Sequence, residues 1–128
     1  LVKPRLLEHE PQERTKLDIL PSTLNFLRGA LREAVASGTS KRIAWLKDFE
    51  VSAKTGTAQT CSLSQEQKYK HLLEHAWFAG YFSYKGSAPL VMVLFVENVG
   101  SSNVAVQMAA TFLKAYKKLY EQKQGSIF

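Results

Sequence analysis

Lys54-Thr55-Gly56-Thr57 puts a cation, two hydroxyls and a glycine inside a stretch, VSAKTGTAQT (Val51 to Thr60), that otherwise reads as β-strand. Glycine is a weak strand former, and its usual meaning inside a strand is that another backbone or a ligand comes close. On an edge strand, free N–H and C=O groups can pair with an extended peptide and add it to the sheet. Thr55 and Thr57 supply hydroxyl donors suited to a carboxylate. Lys54 supplies a positive field that favours an anionic substrate and can shift the pKa of a neighbouring nucleophile or base. A backbone N–H here is also placed to face a developing oxyanion. Together these groups suit acyl transfer on a peptide that ends in a carboxylate. A nucleotide-binding loop is the obvious rival for KTGT, but Lys47 to Ala53 lacks the upstream glycines it needs.

The flanking pattern predicts what holds this segment. Residues 1–20, with Pro4 and Pro11, read as extended connecting chain. From about residue 22 to 37 a helical period sets Leu24, Leu27, Leu31, Ala34 and Val35 on one face, with Gly38 as its stop. Phe49 to Thr57 is a strand, and Glu66–Glu74 is compatible with a short helix in a polar segment. Ala76 to Phe82 and Leu90–Val96, joined through Ser83 to Ser87, form a hairpin by spacing. After Gly100-Ser101-Ser102 the helical period returns with Ala105, Met108, Ala109, Phe112, Leu113, Tyr116, Leu119 and Tyr120. The order helix, strand, strand, strand, helix predicts an α+β layer structure with a meander. Leu90–Val96 is apolar throughout, as in strands buried on both faces. A meander leaves that strand at an edge, so a neighbouring strand from outside these residues is expected.

The chain has 128 residues, 45% of them hydrophobic and 11% aromatic, which is one globular domain's worth. No apolar run reaches the roughly 18 residues that cross a bilayer. The net charge of +6 comes from scattered bases plus a cluster at Lys114, Lys117, Lys118 and Lys123 near a helix end, where cations complement the dipole. No nucleic-acid motif accompanies them, and no nucleic-acid partner is expected. The single cysteine, Cys61, cannot pair within the chain.

Read at length, VSAKTGTAQ resembles the V-x-G-K-T-G-T-A-Q segment of class B penicillin-binding proteins, with Ala53 where glycine is common. K-T-G belongs to serine enzymes that acylate on an S-x-x-K serine. LSQEQKYKHLLEHAWFAGYF is similar to the segment that follows in elongation-type members, where a D/E-H-A motif precedes an aromatic strand. APLVMVLFVENVG resembles the next strand with its V-E-N ending, and LRGALREAVASGTSKRI resembles the helix that closes with a G-T pair. The resemblance runs in order from about Leu20 to Tyr116.

It implies the C-terminal part of one transpeptidase domain over residues 1–128, of the penicillin-binding and serine β-lactamase fold. In that fold the antiparallel sheet is five-stranded, and the strand matching Leu90–Val96 pairs with the first strand. It implies that Lys54 sits in the active-site hydrogen-bond network. It further implies that Thr57 offers its N–H to the oxyanion and its hydroxyl to a substrate or antibiotic carboxylate, with Gly56 allowing close approach. Thr55 is the weaker candidate, since alternation points it away from the Lys54 face. The implied partners are peptidoglycan stem peptides, β-lactams, the remainder of the same domain, a SEDS-family glycosyltransferase and a rod-shape scaffold protein. The implied place is the periplasmic face of the inner membrane, held by an N-terminal anchor. No cofactor or metal is implied.

No serine in the chain has a lysine three residues later, so the nucleophile is expected upstream of Leu1 and the chain alone should be inactive. Ser101-Ser102-Asn103 spells S-x-N, but it follows K-T-G instead of preceding it and opens a helix, where such residues cap. Two alternatives stay open: a D,D-carboxypeptidase or β-lactamase-type serine hydrolase, and a non-catalytic basic interaction module. A thiol–imidazole pair from Cys61 with His71 or His75 has no supporting spacing, nor does a metal site that adds His9. His75 is expected to cap or pack where its strand begins. Trp77, Phe78, Tyr81 and Phe82 are expected in the core, Trp45 at core or cleft, and Phe112, Tyr116 and Tyr120 in helix–sheet packing.

Overall fold

The computed structural model describes residues 2–3, 9–60 and 73–125. The elements run α1 (Pro21–Ala36), a 3-10 turn (Lys41–Ile43), β1 (Phe49–Ala58), β2 (His75–Tyr84), β3 (Leu90–Val96) and α2 (Ser102–Gly125). Most of the Glu66–Glu74 stretch, together with Cys61 and His71, lies outside the described residues. Among them, residues 2 to 14 add one isolated antiparallel bridge, Val2 to Arg14.

The sheet is an antiparallel meander in the order β1-β2-β3. Register is fixed by pairs such as Val51 with Phe82 and Phe82 with Leu90. The β2–β3 connection begins with Lys85 and Gly86 at φ of 47° and 75°, and the Ser87 N–H returns to the Tyr84 carbonyl at 2.9 Å. Two central residues at positive φ match the twist of a hairpin, which is why a glycine sits there. α2 is opened as expected by Ser101, whose hydroxyl accepts from the Asn103 N–H at 3.2 Å.

Strand alternation gives the sheet two unlike faces. On one, Phe49, Val51, Ala53, Ala76, Phe78, Phe82, Tyr84 and Met92 are buried, sealed by Ala105, Val106, Ala109 and Leu113 of α2. Tyr116 and Tyr120 pack edge-on to Phe82 and Tyr84 at centroid distances of 5.2 and 5.1 Å, so the aromatic stripe of α2 is helix–sheet packing, as expected. The last turns of α2 are tied down by polar contacts. Tyr84, itself fully buried, donates its hydroxyl to Glu121 Oε1 at 2.7 Å, and Lys117 pairs with Asp48. The Tyr84 hydrogen bond holds the Glu121 carboxyl below its ordinary range, and the Lys117 hydrogen bond does the same for Asp48.

The opposite face carries Trp77 and Phe95 in ring contact at 4.4 Å, with Val91 and Val93 beside them. Here the structure corrects the sequence. Trp77 is not core but 39% exposed, and Val91 is 80% exposed, because among the described residues no helix covers this face of β2 and β3. Leu90–Val96 has the predicted bounds, yet only Met92 in it is buried. Likewise Leu24 and Leu27 on α1, and Met108 and Leu119 on α2, are exposed, while Val106 is buried although the periodic reading passed over it. Trp45 is not core. It is exposed, with the Lys114 ammonium 4.7 Å from its ring centre.

Candidate functional site

β1 carries the Lys54-Thr55-Gly56-Thr57 segment at a sheet edge: among the described residues its only strand partner is β2. Lys54 and Gly56 lie opposite Ala79 and Trp77, on the sheet face that α2 does not cover. Thr55 and Thr57 lie opposite Phe78 and Ala76, on the other face. The alternation that sets Thr55 apart from Lys54 therefore sets Thr57 apart as well, which corrects the reasoning that favoured Thr57 by face. Burial, not facing, distinguishes the two threonines.

Thr55 is 6% exposed and its hydroxyl lies 2.9 Å from that of Thr39, so it is already engaged within the chain. Thr57 is exposed near the strand end. Lys54 is exposed too, and its ammonium donates to the carbonyl of Thr55 at 2.7 Å. That contact folds the cation back over its own strand, beside the peptide that leads into Gly56.

Gly56 is not demanded by the packing of the sheet. A Cβ built there would meet only the Cβ of Trp77, at 3.4 Å. Gly80, on the neighbouring strand, is the reverse case. A Cβ there would fall 2.3 Å from the Ser52 carbonyl oxygen and 2.5 Å from the Ala53 Cβ. One glycine keeps the strands together; the other leaves open space above a strand edge, which is where a ligand backbone would come close.

His75, opposite Ala58, marks the same end of the sheet. Its Nδ1 accepts from the Asn98 N–H at 3.1 Å and its ring meets Phe95 edge-on, so it caps and packs as the sequence led us to expect. The N–H groups of Val99 and Gly100 both donate to the Glu74 carbonyl at 3.0 Å. These bonds tie the start of β2 to the turn after β3.

A groove of about 510 Å³ runs between α1 and the sheet and is lined by Arg28, Arg32, Glu50, Ser52, Tyr81 and Ser83 among others. It contains none of Lys54, Thr55, Gly56 and Thr57, which lie further along β1. Sequence reading missed two residues that shape the site, Gly80 and Thr39. The alternating small residues of β1, Ser52 and Ala53, were the available signal for the first. For the second the signal was the G-T pair that ends α1.

The site is thus an edge strand bearing a cation, a glycine and an exposed threonine, on an antiparallel sheet backed by a C-terminal helix. The family model for the penicillin binding protein transpeptidase domain matches residues 1–116, and the chain belongs to that family. This bears out the resemblance drawn from the K-T-G-T segment and its flanks, and the α+β architecture is that of part of this fold. Among curated proteins the chain is similar to the peptidoglycan D,D-transpeptidase MrdA of Haemophilus influenzae, 38% identical over 78 residues. That match covers 55% of the chain and 12% of the relative, so the chain corresponds to a small part of that protein's length. No solved structure matches the chain.

Proposed function

We propose that this chain supplies the K-T-G-T strand of a serine-type D,D-transpeptidase that cross-links peptidoglycan stem peptides, of the elongation-specific class B type. The observation that carries the reading is the edge-strand position of Lys54, Gly56 and Thr57, with Lys54 and Thr57 exposed, in a chain of the transpeptidase domain family. A donor peptide ending in D-Ala-D-Ala lies extended along β1, close to the backbone where Gly56 has no side chain. A serine outside these 128 residues attacks the penultimate D-alanine carbonyl. The tetrahedral oxyanion is held by the Thr57 N–H, and terminal D-alanine leaves with a proton. An amine of a second stem peptide then attacks the ester, releasing the serine and closing the cross-link.

Lys54 contributes its positive charge to the proton network of the nucleophile. The Thr57 hydroxyl, at the rim, reaches the terminal carboxylate. A β-lactam mimics the donor and stops at the acyl stage. On this reading the full-length protein holds the domain on the periplasmic face of the inner membrane, where a SEDS-family glycosyltransferase and a rod-shape scaffold protein are its expected partners. Among the described residues no helix is long and apolar enough to cross a membrane.

The test is fluorescent-penicillin labelling of the full-length protein, with Lys54→Ala compared at matched folding. The wild type should label on a serine outside this chain. Lys54→Ala should slow acylation by roughly 10²-fold or more, the scale for loss of an electrostatic or proton-transfer group. Equal labelling of the two proteins would overturn the role given to Lys54, and a label within residues 1–128 would overturn the reading as a whole.

A further inference from the structure

Among the described residues, Thr55 is the member of the K-T-G-T segment whose side chain hydrogen-bonds to another part of the chain. Gly56 has no side chain, Thr57 is exposed, and Lys54 bonds back to its own strand. What holds Thr55 is the hydroxyl of Thr39, at 2.9 Å, sixteen positions earlier. Thr39 is delivered there by a turn with a steric requirement. The Ser40 N–H returns to the Ala34 carbonyl at 3.1 Å and the Gly38 N–H to Glu33 at 3.3 Å. The chain passes so close to the end of α1 that a Cβ on Gly38 would lie 2.8 Å from the Ala34 oxygen. The φ of Gly38 is not positive, so glycine is required there for the close approach and not for a left-handed backbone.

We infer that Thr39 is a positioning residue for acyl transfer. Its hydroxyl anchors Thr55 and so fixes the peptide planes that aim the Lys54 ammonium and the Thr57 N–H. The inference rests on the function proposed above. Because glycine allows the widest range of backbone conformations, the segment around Gly56 needs an external anchor to hold one geometry. Lateral error of this kind is costly in catalysis, since a misplacement of about 1 Å can lower a rate some 10²-fold. A hydroxyl pair that gives slightly when cut should therefore cost roughly tenfold.

The experiment uses the full-length protein and a fluorescent penicillin. Time courses at several concentrations separate the acylation rate from non-covalent affinity. Thr39→Val should lower the acylation rate about tenfold with affinity little changed, and Thr39→Ser, which keeps the hydroxyl, should restore most of it. In a Thr55→Val background the Thr39→Val change should have no further effect, because the anchor is already cut.

Amide hydrogen exchange gives a readout that does not depend on activity. Gly56 and Thr57 should exchange faster in Thr39→Val than in wild type, while core amides of β2 stay the same. Unchanged acylation and exchange in Thr39→Val would overturn the inference. So would equal losses in the Val and Ser variants, or full multiplicative effects in the double variant. A wild type that takes no penicillin, with exchange still raised by Thr39→Val, would instead remove the transpeptidase reading and leave the anchor standing as a structural one.

Discussion

Replacing Gly80 by alanine tests the β1–β2 register at its tightest point. The new Cβ would fall 2.3 Å from the Ser52 oxygen, 2.5 Å from the Ala53 Cβ and 2.7 Å from the Ala53 Cα. Carbon–carbon contacts are optimal near 3.5–4.0 Å, so the strands must part locally by roughly 1 Å. None of the obstructing atoms is the free end of a side chain, and Ser52 and Ala53 are both buried, so no rotamer change can absorb the clash. Overpacking of this kind costs about 1–3 kcal/mol, and the backbone obstruction puts Gly80→Ala at the upper end, about 3 kcal/mol. For a chain of this size that lowers the melting temperature by roughly 10 °C. Thermal unfolding followed by far-UV circular dichroism, wild type beside variant, gives the number. Gly56→Ala is the control, since its Cβ meets a neighbour only at 3.4 Å. It should melt within a few degrees of wild type yet slow penicillin acylation by at least tenfold. A Gly80→Ala protein as stable as wild type would refute the register, and normal acylation by Gly56→Ala would refute the close approach of substrate to that strand.

Other outcomes follow from the same structure. Leu113→Ala removes a fully buried side chain from the α2–sheet layer and should destabilise by about 2–5 kcal/mol, read by denaturant midpoint. The Glu121 and Asp48 carboxyls are held below their ordinary range, by the Tyr84 and Lys117 hydrogen bonds respectively, so what they add to stability is present above the unfolded carboxylate pKa. It is lost as pH falls through the lower folded value. A pH titration from neutral to about 3 should therefore loosen the end of α2, and Glu121→Gln should flatten that response. Val91→Lys, on an edge strand at a position 80% exposed, should reduce concentration-dependent self-association in light scattering without lowering the melting temperature.

Where periodicity decides structure, the sequence was easy to read. β3 runs from Leu90 to Val96 as its apolar run indicates, and α1 starts at Pro21, one residue before the expected start, because proline suits the first helical turn. The strand nature of the K-T-G-T segment was legible for the same reason. Alternation shows that a strand has two faces but not which of them is covered, and that is why Trp77 and Tyr81 were grouped with Phe78 and Phe82. Coverage depends on what packs from elsewhere, as Leu24 and Leu27 also show on α1. The Thr39–Thr55 and Tyr84–Glu121 hydrogen bonds were illegible because each joins residues far apart in sequence, and no local pattern encodes a partner at that distance. Nothing in the local sequence singles out Gly80, and only the register reveals it as the point of closest approach.

The meander has one more consequence, for the order in which the molecule comes together. Each strand pairs with its neighbour in the chain, and the strand with Lys54 is fixed by α1 just before it and β2 just after it. Contacts this local form early, since little chain must be closed into a loop to make them. The geometry of the K-T-G-T edge is thus written largely between Pro21 and Tyr84, and it can be in place before more distant elements dock. On the function proposed above, assembly of the complete site would resemble a casting: this segment is the finished mould face, and the part of the protein that brings the nucleophile sets against it.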